Sequence, residues 1–194
     1  MQSPSGDNGV AAAPSPWVER FAGLVARGGL VLDVAAGAGR HSRLFLARGN
    51  RVLAVDRDVS RLADLAGAPG IRIVEADLES GSPWPFAGER FDAIVVTNYL
   101  WRPLIAWCPG HLAPGGVFIY ETFARGNEQF GRPTNPAYLL EDGELLRAVD
   151  GRLHVVAYEQ GLIKSPRPRV VQRLCATQEP TQGDRPLAYP LDDN

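Results

Sequence analysis

Acidic side chains end three successive apolar runs of the sequence, and a loop of small residues follows the first of them. Asp33 opens the segment Asp-Val-Ala-Ala-Gly-Ala-Gly-Arg, which ends at Arg40. Asp56 and Asp77 end the next two runs. Small residues permit a sharp turn and a close approach of a ligand to the backbone. A carboxylate can accept hydrogen bonds from both hydroxyls of a ribose. The pattern therefore predicts a site for a nucleoside-containing ligand.

The spacing of these acids supports one shared ligand. Asp56 lies 19 residues beyond Gly37, close to the separation of about 20 residues at which an acid meets ribose hydroxyls in dinucleotide-binding folds. Asp77 is placed to accept a hydrogen bond from an adenine amino group. The alternative for each acid taken alone is a solvated strand end. Acids at three successive strand ends favour the shared ligand.

These residues are positioned by alternating strands and helices. Apolar runs predict strands over residues 30–34, 51–55, 71–76, 91–97, 116–123, 153–159 and 169–177. Helices are predicted over residues 40–48, 59–66, 100–111 and 141–149. Continuous apolar strands that alternate with helices are typical of parallel sheets covered on both faces. The short connection at residues 160–168 suits an antiparallel pair. We predict an α/β fold, a Rossmann-like seven-stranded mostly parallel sheet with helices on both faces and a C-terminal antiparallel hairpin.

From residue 30 to residue 177 the chain resembles the class I S-adenosylmethionine-dependent methyltransferases. Residues 33–56 are most similar to the small tellurite-resistance-type enzymes. The resemblance implies an enzyme with S-adenosyl-L-methionine as its cofactor. It assigns the methionine part to residues 33–39, the adenine to residues 77 and 78, and the neighbourhood of the methyl group to residues 97 and 98. The cofactor-binding residues that it implies are Asp33, Ala35, Gly37, Gly39, Arg40, Asp56, Arg57, Asp77, Leu78, Thr97 and Asn98.

One residue of the loop departs from the family pattern, and one alternative cofactor competes. Ala35 stands where the family has its first loop glycine, which is compatible with the loop if its φ is negative. The alternative is a nicotinamide dinucleotide, whose GxGxxG fingerprint requires a glycine where Ser42 stands. Asp33 would also repel a pyrophosphate, whereas it suits the ammonium group of a sulfonium cofactor. We therefore favour S-adenosylmethionine.

The loops after the fourth and fifth strands are predicted to line the acceptor pocket. Tyr99 and Glu121 are the candidate catalytic residues, which would orient or deprotonate an acceptor. Tyr99, Trp101, Arg125 and Arg132 are the candidates for acceptor binding. The long loop at residues 124–138 has the mixed composition of a pocket wall or a lid. The alternatives are an ordinary buried aromatic for Tyr99, an ion pair with Arg125 for Glu121, and solvated surface positions for the arginines.

These features favour a methyltransferase that acts on a small molecule. The alternatives are an RNA or protein methyltransferase and a non-catalytic module that binds S-adenosylmethionine. A net charge of −2 without a basic stripe argues against nucleic acid. Asn98 and Tyr99 also lack the two intervening prolines of the Asn-Pro-Pro-aromatic loop found in many base-methylating enzymes. The sequence leaves open the acceptor atom, the use of a general base and the oligomeric state.

A single domain is predicted at residues 15–177, between a flexible N-terminal tail at residues 1–14 and a loosely ordered C-terminal tail at residues 178–194. The sequence has neither a secretory signal nor an apolar run of about 20 residues, so we expect a cytoplasmic protein without a membrane partner. Its two cysteines and three scattered histidines predict neither a disulfide nor a metal site.

Overall fold

The computed structural model describes residues 12–179, which form one seven-stranded sheet with helices around it. Its seven strands lie in the order β3-β2-β1-β4-β5-β7-β6. The first five pair in parallel, and β7 pairs antiparallel with both β5 and β6. This arrangement confirms the predicted fold class. The strands are β1 Leu30–Val34, β2 Arg51–Asp56, β3 Ile71–Glu75, β4 Phe91–Thr97, β5 Leu112–Phe123, β6 His154–Ile163 and β7 Arg169–Thr177.

Short helices cover both faces of the sheet. Helices α1 Pro16–Phe21 and α2 Arg40–Ala47 pack on one face, and α3 Arg102–Trp107 and α4 Glu144–Val149 pack on the other. Successive residues of the central strands point alternately into these two cores, as the pleat of a strand requires. Within residues 12–179, no helix has both the length and the apolar character needed to cross a membrane.

The boundaries of several elements differ from the predictions. The predicted helix at residues 59–66 is a 3₁₀ helix over Ser60–Leu65, because its backbone hydrogen bonds span three residues instead of four. The helices predicted at residues 100–111 and 141–149 are shortened to α3 and α4. Part of the predicted 160–168 loop is strand, because β6 pairs with β7 as far as Ile163. Most of the predicted tail residues, 1–11 and 180–194, lie outside the described residues, so the domain limits stay predictions.

Strand β5 begins earlier than predicted, and a bulge explains the difference. Leu112 pairs with Phe91, and the next pair is Val117 with Ala93. The bulge absorbs the intervening residues and seats Gly116 against two carbonyl groups. A Cβ added at Gly116 would lie 2.8 Å from the carbonyl oxygen of Ala113 and 2.9 Å from that of Phe91. Backbone atoms cannot move aside as side chains do, so this position requires glycine.

We predict that Gly116→Ala lowers the free energy of unfolding by about 1–3 kcal/mol, because the new methyl group overpacks a backbone contact. Gly110→Ala is the matched control, since a Cβ there meets nothing within 4 Å. The control is expected to change stability by less than about 0.5 kcal/mol. Urea unfolding of both variants measures the difference, and equal stabilities would contradict this account of the bulge.

Candidate active site

A cavity of about 600 Å³ lies at the carboxyl ends of the parallel strands. We call it the first cavity. Its walls come from the segments that follow β1, β2, β3, β4 and β5. In open α/β sheets, ligands bind at this edge. The lining residues are Ala35, Val55, Asp56, Arg57, Ala76, Asp77, Leu78, Glu79, Asn98, Tyr99, Leu100, Thr122, Phe123, Pro133 and Tyr138.

The loop after β1 is fastened to the end of β2. The Gly37 amide donates to Asp56 Oδ2 at 2.8 Å, and the Ala36 amide donates to the Val55 carbonyl at 3.0 Å. Asp56 Oδ1 accepts from the Asp58 amide at 3.1 Å. Each carboxylate oxygen has two lone pairs, so Asp56 keeps acceptor capacity toward the first cavity.

Ala35 contradicts the expectation of a negative φ at this position. Its φ is +51°, and Gly37 and Gly39 follow at +57° and +73°. The left-handed region costs a non-glycine residue about 1–2 kcal/mol because its Cβ crowds the next carbonyl oxygen. Three left-handed residues within five positions form the tight turn that brings Ala35 to the wall of the first cavity. The strain at Ala35 is therefore built into the loop.

Two of the three acids predicted at the strand ends line the first cavity together. Asp56 and Asp77 lie on its wall, Glu79 adds a third carboxylate, and Arg57 is the single basic side chain among the described lining residues. The Glu79 amide donates to Asp77 Oδ1 at 2.9 Å, which fixes the turn after β3. The wall is thus net acidic. It suits a positively charged ligand and disfavours a pyrophosphate.

Asp33 lies behind this wall rather than on it. Its side chain is buried, and the Ser42 hydroxyl donates to Asp33 Oδ2 at 2.6 Å. Burial raises the pKa of Asp33 to about 6, although the hydrogen bond from Ser42 and the positive charge of Arg40 oppose this shift. Asp33 therefore ties β1 to helix α2 and fixes the start of the helix beneath the loop.

Four other predicted cofactor residues also lie outside the lining of the first cavity: Gly37, Gly39, Arg40 and Thr97. Gly39 packs against the helix that follows β2, where an added Cβ would lie 2.6 Å from Leu62 Cδ2. An Arg40 guanidinium nitrogen donates to Thr97 Oγ1 at 3.3 Å. These contacts hold the loop, helix α2 and the end of β4 together. Their predicted cofactor contacts stay predictions.

A second cavity of about 850 Å³ adjoins the first. Asn98 and Phe123 line both, so they form the junction between the two. Asn98 has a φ of +54°, and its amide donates to the Glu121 carbonyl at 2.9 Å. This bond holds the loop after β4 against the end of β5. The charged side chains of the second cavity are Arg40, Glu121, Arg132, Arg167 and Arg169.

Solved structures share this fold. TehB from Haemophilus influenzae superposes with a TM-score of 0.68 at 18% identity, covering 84% of this chain and 61% of its own. A Burkholderia thailandensis 1,6-didemethyltoxoflavin-N1-methyltransferase, solved with its substrate and S-adenosylhomocysteine, gives a TM-score of 0.61 at 22% identity and coverages of 84% and 76%. A TehB-like methyltransferase from Corynebacterium glutamicum gives 0.57 at 20% identity and coverages of 84% and 86%. No curated protein matches the sequence.

The sequence itself matches a model of the methyltransferase domain over residues 31–116. This match spans the loops after β1, β2, β3 and β4, which supply most of the first cavity. Residues 31–116 therefore match a methyltransferase domain, and the solved structures share the fold of the chain. The net acidic first cavity fits a cofactor that carries sulfonium and ammonium groups, as S-adenosylmethionine does. This chain spans 61% of the H. influenzae protein's length.

Of the two candidate catalytic residues, Tyr99 lines the first cavity and Glu121 the second. Burial, with the nearby carboxylates of Glu79, Asp77 and Asp56, raises the pKa of Tyr99 well above its usual range. Its phenol is therefore protonated near neutral pH and acts as a hydrogen-bond donor. The Tyr99 carbonyl accepts from the hydroxyl of the buried Tyr120 at 2.8 Å, which fixes the loop.

Glu121 is buried and held by two partners. The Ser15 hydroxyl donates to Glu121 Oε1 at 3.3 Å, and Arg173 Nε lies 3.3 Å from Glu121 Oε2. The ion pair suggested with Arg125 is wrong, because Arg125 instead binds Glu141 at 2.9 Å. Strand β7 brings Arg173 opposite Glu121 in the antiparallel register. This pairing could not be read from sequence separation.

The predicted acceptor residues divide in the same way. Arg132 lines the second cavity, whereas Arg125 and Trp101 line neither cavity. Trp101 stacks with Trp84, with ring centroids 6.5 Å apart, in an aromatic cluster beside helix α3. Among residues 12–179, no group of His, Cys, Asp and Glu could hold a metal ion.

Sequence reasoning missed Glu79 in the first cavity and Arg167 and Arg169 in the second. The two arginines flank Pro168: Arg167 falls in the segment that we interpreted only as a connection, and Arg169 begins the last predicted strand. One signal was available. A strand antiparallel to β5 must begin near the edge where β5 ends, so basic residues just before β7 had to approach the site.

His41 links the segment before α1 to this network. The Ser15 amide donates to His41 Nε2 at 3.1 Å, which requires an unprotonated ring nitrogen. Burial, assisted by the charge of Arg40, lowers the pKa of His41 to about 3. His41 is therefore neutral near pH 7 and accepts the hydrogen bond that holds Ser15 beside Glu121.

We predict that Ala35→Gly raises the free energy of unfolding by up to about 1 kcal/mol, because relief of the left-handed strain outweighs the added freedom of the unfolded chain. Ala38→Gly in the same loop is the control. Ala38 is not among the residues with positive φ, so glycine there is expected to cost about 0.5–1 kcal/mol. Thermal and urea unfolding provide the measurement. A loss of stability in both variants would exclude strain at Ala35.

We predict that His41 makes stability depend on pH. The unfolded chain takes up a proton at His41 below about pH 6.5, whereas the folded chain does so only near pH 3. The contribution is therefore complete above pH 6.5 and is lost as the pH falls toward 3. Between pH 7.5 and 5.0, the stability advantage of the native protein over His41→Gln should shrink by roughly 2 kcal/mol. An advantage that stays constant in urea unfolding at both pH values would refute this.

Proposed function

We propose that this methyltransferase transfers the methyl group of S-adenosylmethionine to a small molecule held in the second cavity. The observation that carries the proposal is the junction at Asn98 and Phe123, where the first cavity meets the second. A cofactor in the first cavity and an acceptor in the second would then approach each other there. Glu121 at the end of β5 lies on the acceptor side of this junction.

The residues of the first cavity have roles that match the parts of the cofactor. Asp56 is suited to the ribose hydroxyls, since both of its oxygens retain lone pairs. Asp77 and Leu78 are suited to the adenine, one by accepting a hydrogen bond and the other by apolar contact. Ala35 and the loop that follows it are suited to the methionine part. The volume of about 600 Å³ falls within the range of small-molecule sites.

Methyl transfer demands alignment more than covalent help from the protein. S-adenosylmethionine, when bound, supplies a methyl group on sulfonium sulfur: the acceptor's lone pair forms the new bond to carbon, while the carbon–sulfur bond breaks with its electron pair to sulfur. Positioning of this kind can provide effective molarities on the order of 10⁵–10⁸ M. We assign this role to the walls of the junction, with the Tyr99 phenol as a donor and the Glu121 carboxylate as an orienting acceptor of hydrogen bonds.

The shape of the second cavity supports a small acceptor over the alternatives. A module that only bound the cofactor would be expected to fill this space with its own side chains, and residues 12–179 leave a volume of about 850 Å³ open. The B. thailandensis neighbour has a small molecule, 1,6-didemethyltoxoflavin, bound together with S-adenosylhomocysteine. By analogy, an RNA or protein acceptor is the less favoured alternative.

We predict that Asp56→Ala weakens binding of S-adenosylmethionine by roughly 10- to 150-fold, because loss of a charged hydrogen-bonding partner costs about 1.5–3 kcal/mol. Isothermal titration calorimetry with the cofactor and with S-adenosylhomocysteine measures the change. Asp58→Ala is the matched control, since Asp58 is exposed and lies outside the first cavity. Unchanged affinity in Asp56→Ala would show that the ribose assignment is wrong, and binding of NADH in place of S-adenosylmethionine would contradict the function.

A further inference from the structure

We propose that the acceptor is a small organic anion with an apolar body and a carboxylate group. The arginines of the second cavity would hold the carboxylate. This inference rests on the proposed function and adds the chemical class of the substrate. It follows from the charge of the second cavity, from arginines there that form no ion pair among residues 12–179, and from the apolar walls around them.

The charges of the second cavity are strongly asymmetric. Arg40 begins helix α2, and Arg132 lies in the loop after β5. Arg167 lies in the connection between β6 and β7, and Arg169 begins β7. Three separate segments thus place four guanidinium groups around one space. Glu121 is the single acidic side chain among its described lining residues, and Arg173, which lies outside the lining, already balances that charge.

None of these four arginines forms an ion pair among residues 12–179, although the charge of Arg40 acts on the buried Asp33. Arg132, Arg167 and Arg169 share this lack of an ion pair with exposed arginines such as Arg27, but unlike Arg27 they line a common cavity. A guanidinium group presents parallel N–H donors that match a carboxylate in a bidentate geometry. Unpaired guanidinium groups that converge on a cavity therefore indicate an anionic ligand.

The remaining walls indicate that this anion has an apolar body. Phe123 lies at the junction, and Phe130 is 44% exposed although it lines the second cavity. Proline rings contribute much of the rest, from Pro14, Pro16, Pro166 and Pro168. A volume of about 850 Å³ far exceeds what an inorganic oxyanion occupies and falls in the range of organic ligands. An apolar body would cover Phe130 and remove its ring from water.

The same geometry distinguishes the anchoring group from the atom that accepts the methyl group. A carboxylate bound by arginines has its lone pairs engaged in charged hydrogen bonds, which makes it a poor nucleophile. The accepting atom is therefore a second nitrogen, oxygen or sulfur of the same molecule, placed at the junction beside Asn98 and Phe123. The arginines bind and orient the acceptor and take no direct part in the transfer.

The test is calorimetry on the full chain saturated with S-adenosylhomocysteine, which leaves the second cavity as the place for an added ligand. The probes are benzoate, 2-naphthoate and indole-3-acetate, each paired with its own neutral carboxamide, together with inorganic phosphate. We expect at least one carboxylate to bind ten or more times as tightly as its carboxamide and as phosphate. Arg132→Gln and Arg169→Gln should each lower the affinity for that carboxylate at least fivefold. Arg27→Gln, at an exposed position outside both cavities, should leave this affinity unchanged.

Each contrary result overturns a defined part of the proposal. Equal binding of a carboxylate and its carboxamide would show that the ligand needs no anionic group. Phosphate as the tightest ligand would show that it needs no apolar body. Unchanged affinity in both arginine variants would place the anion elsewhere. Absence of binding by every probe to protein that binds S-adenosylhomocysteine would overturn the acceptor class and leave the proposed function intact. Failure of S-adenosylhomocysteine to bind would instead contradict the proposed function.

Discussion

The hydrogen bond from the Gly37 amide to the Asp56 carboxylate joins the loop after β1 to the end of β2. The loop can reach that carboxylate because it turns through left-handed residues, one of which is the strained Ala35. Helix α2 starts immediately after the loop, so its position follows from the same turn. Arg40, its first residue, thereby contacts Thr97 at the end of β4 and lines the second cavity. One turn thus helps to shape both cavities.

The two cavities differ in sign as well as in position. Carboxylates dominate the first cavity and guanidinium groups the second. Two uncharged residues, Asn98 and Phe123, lie between them. Complementary potentials favour correct partners and penalise wrong ones more than they raise affinity. Under the proposed function, a positively charged donor and a negatively charged acceptor would each be disfavoured in the other's cavity. The charges of the two cavities would then direct each reactant to its own site.

The fold and half of the site follow from local patterns, and the rest depends on contacts between distant segments. Asp56 and Asp77 could be placed because parallel strands end at one edge of the sheet, which periodicity reveals. The positive φ of Ala35 could not be predicted, since it depends on how the loop closes onto β2. The pairing of Glu121 with Arg173 and the approach of Arg169 depend on the register of β7, which the sequence alone does not specify.

The four tryptophans of the chain are distributed unevenly between the two cores, which has an optical consequence. Trp17 is a residue of α1 buried in the core on one face of the sheet, and its indole donates to the Leu174 carbonyl. Trp84, Trp101 and Trp107 lie together on the opposite face, with Trp84 and Trp107 centroids 4.0 Å apart. Coupled indoles give a characteristic near-ultraviolet circular dichroism. Because Trp101 follows directly after Leu100 of the first cavity, this signal reports on the loop after β4 without any added label.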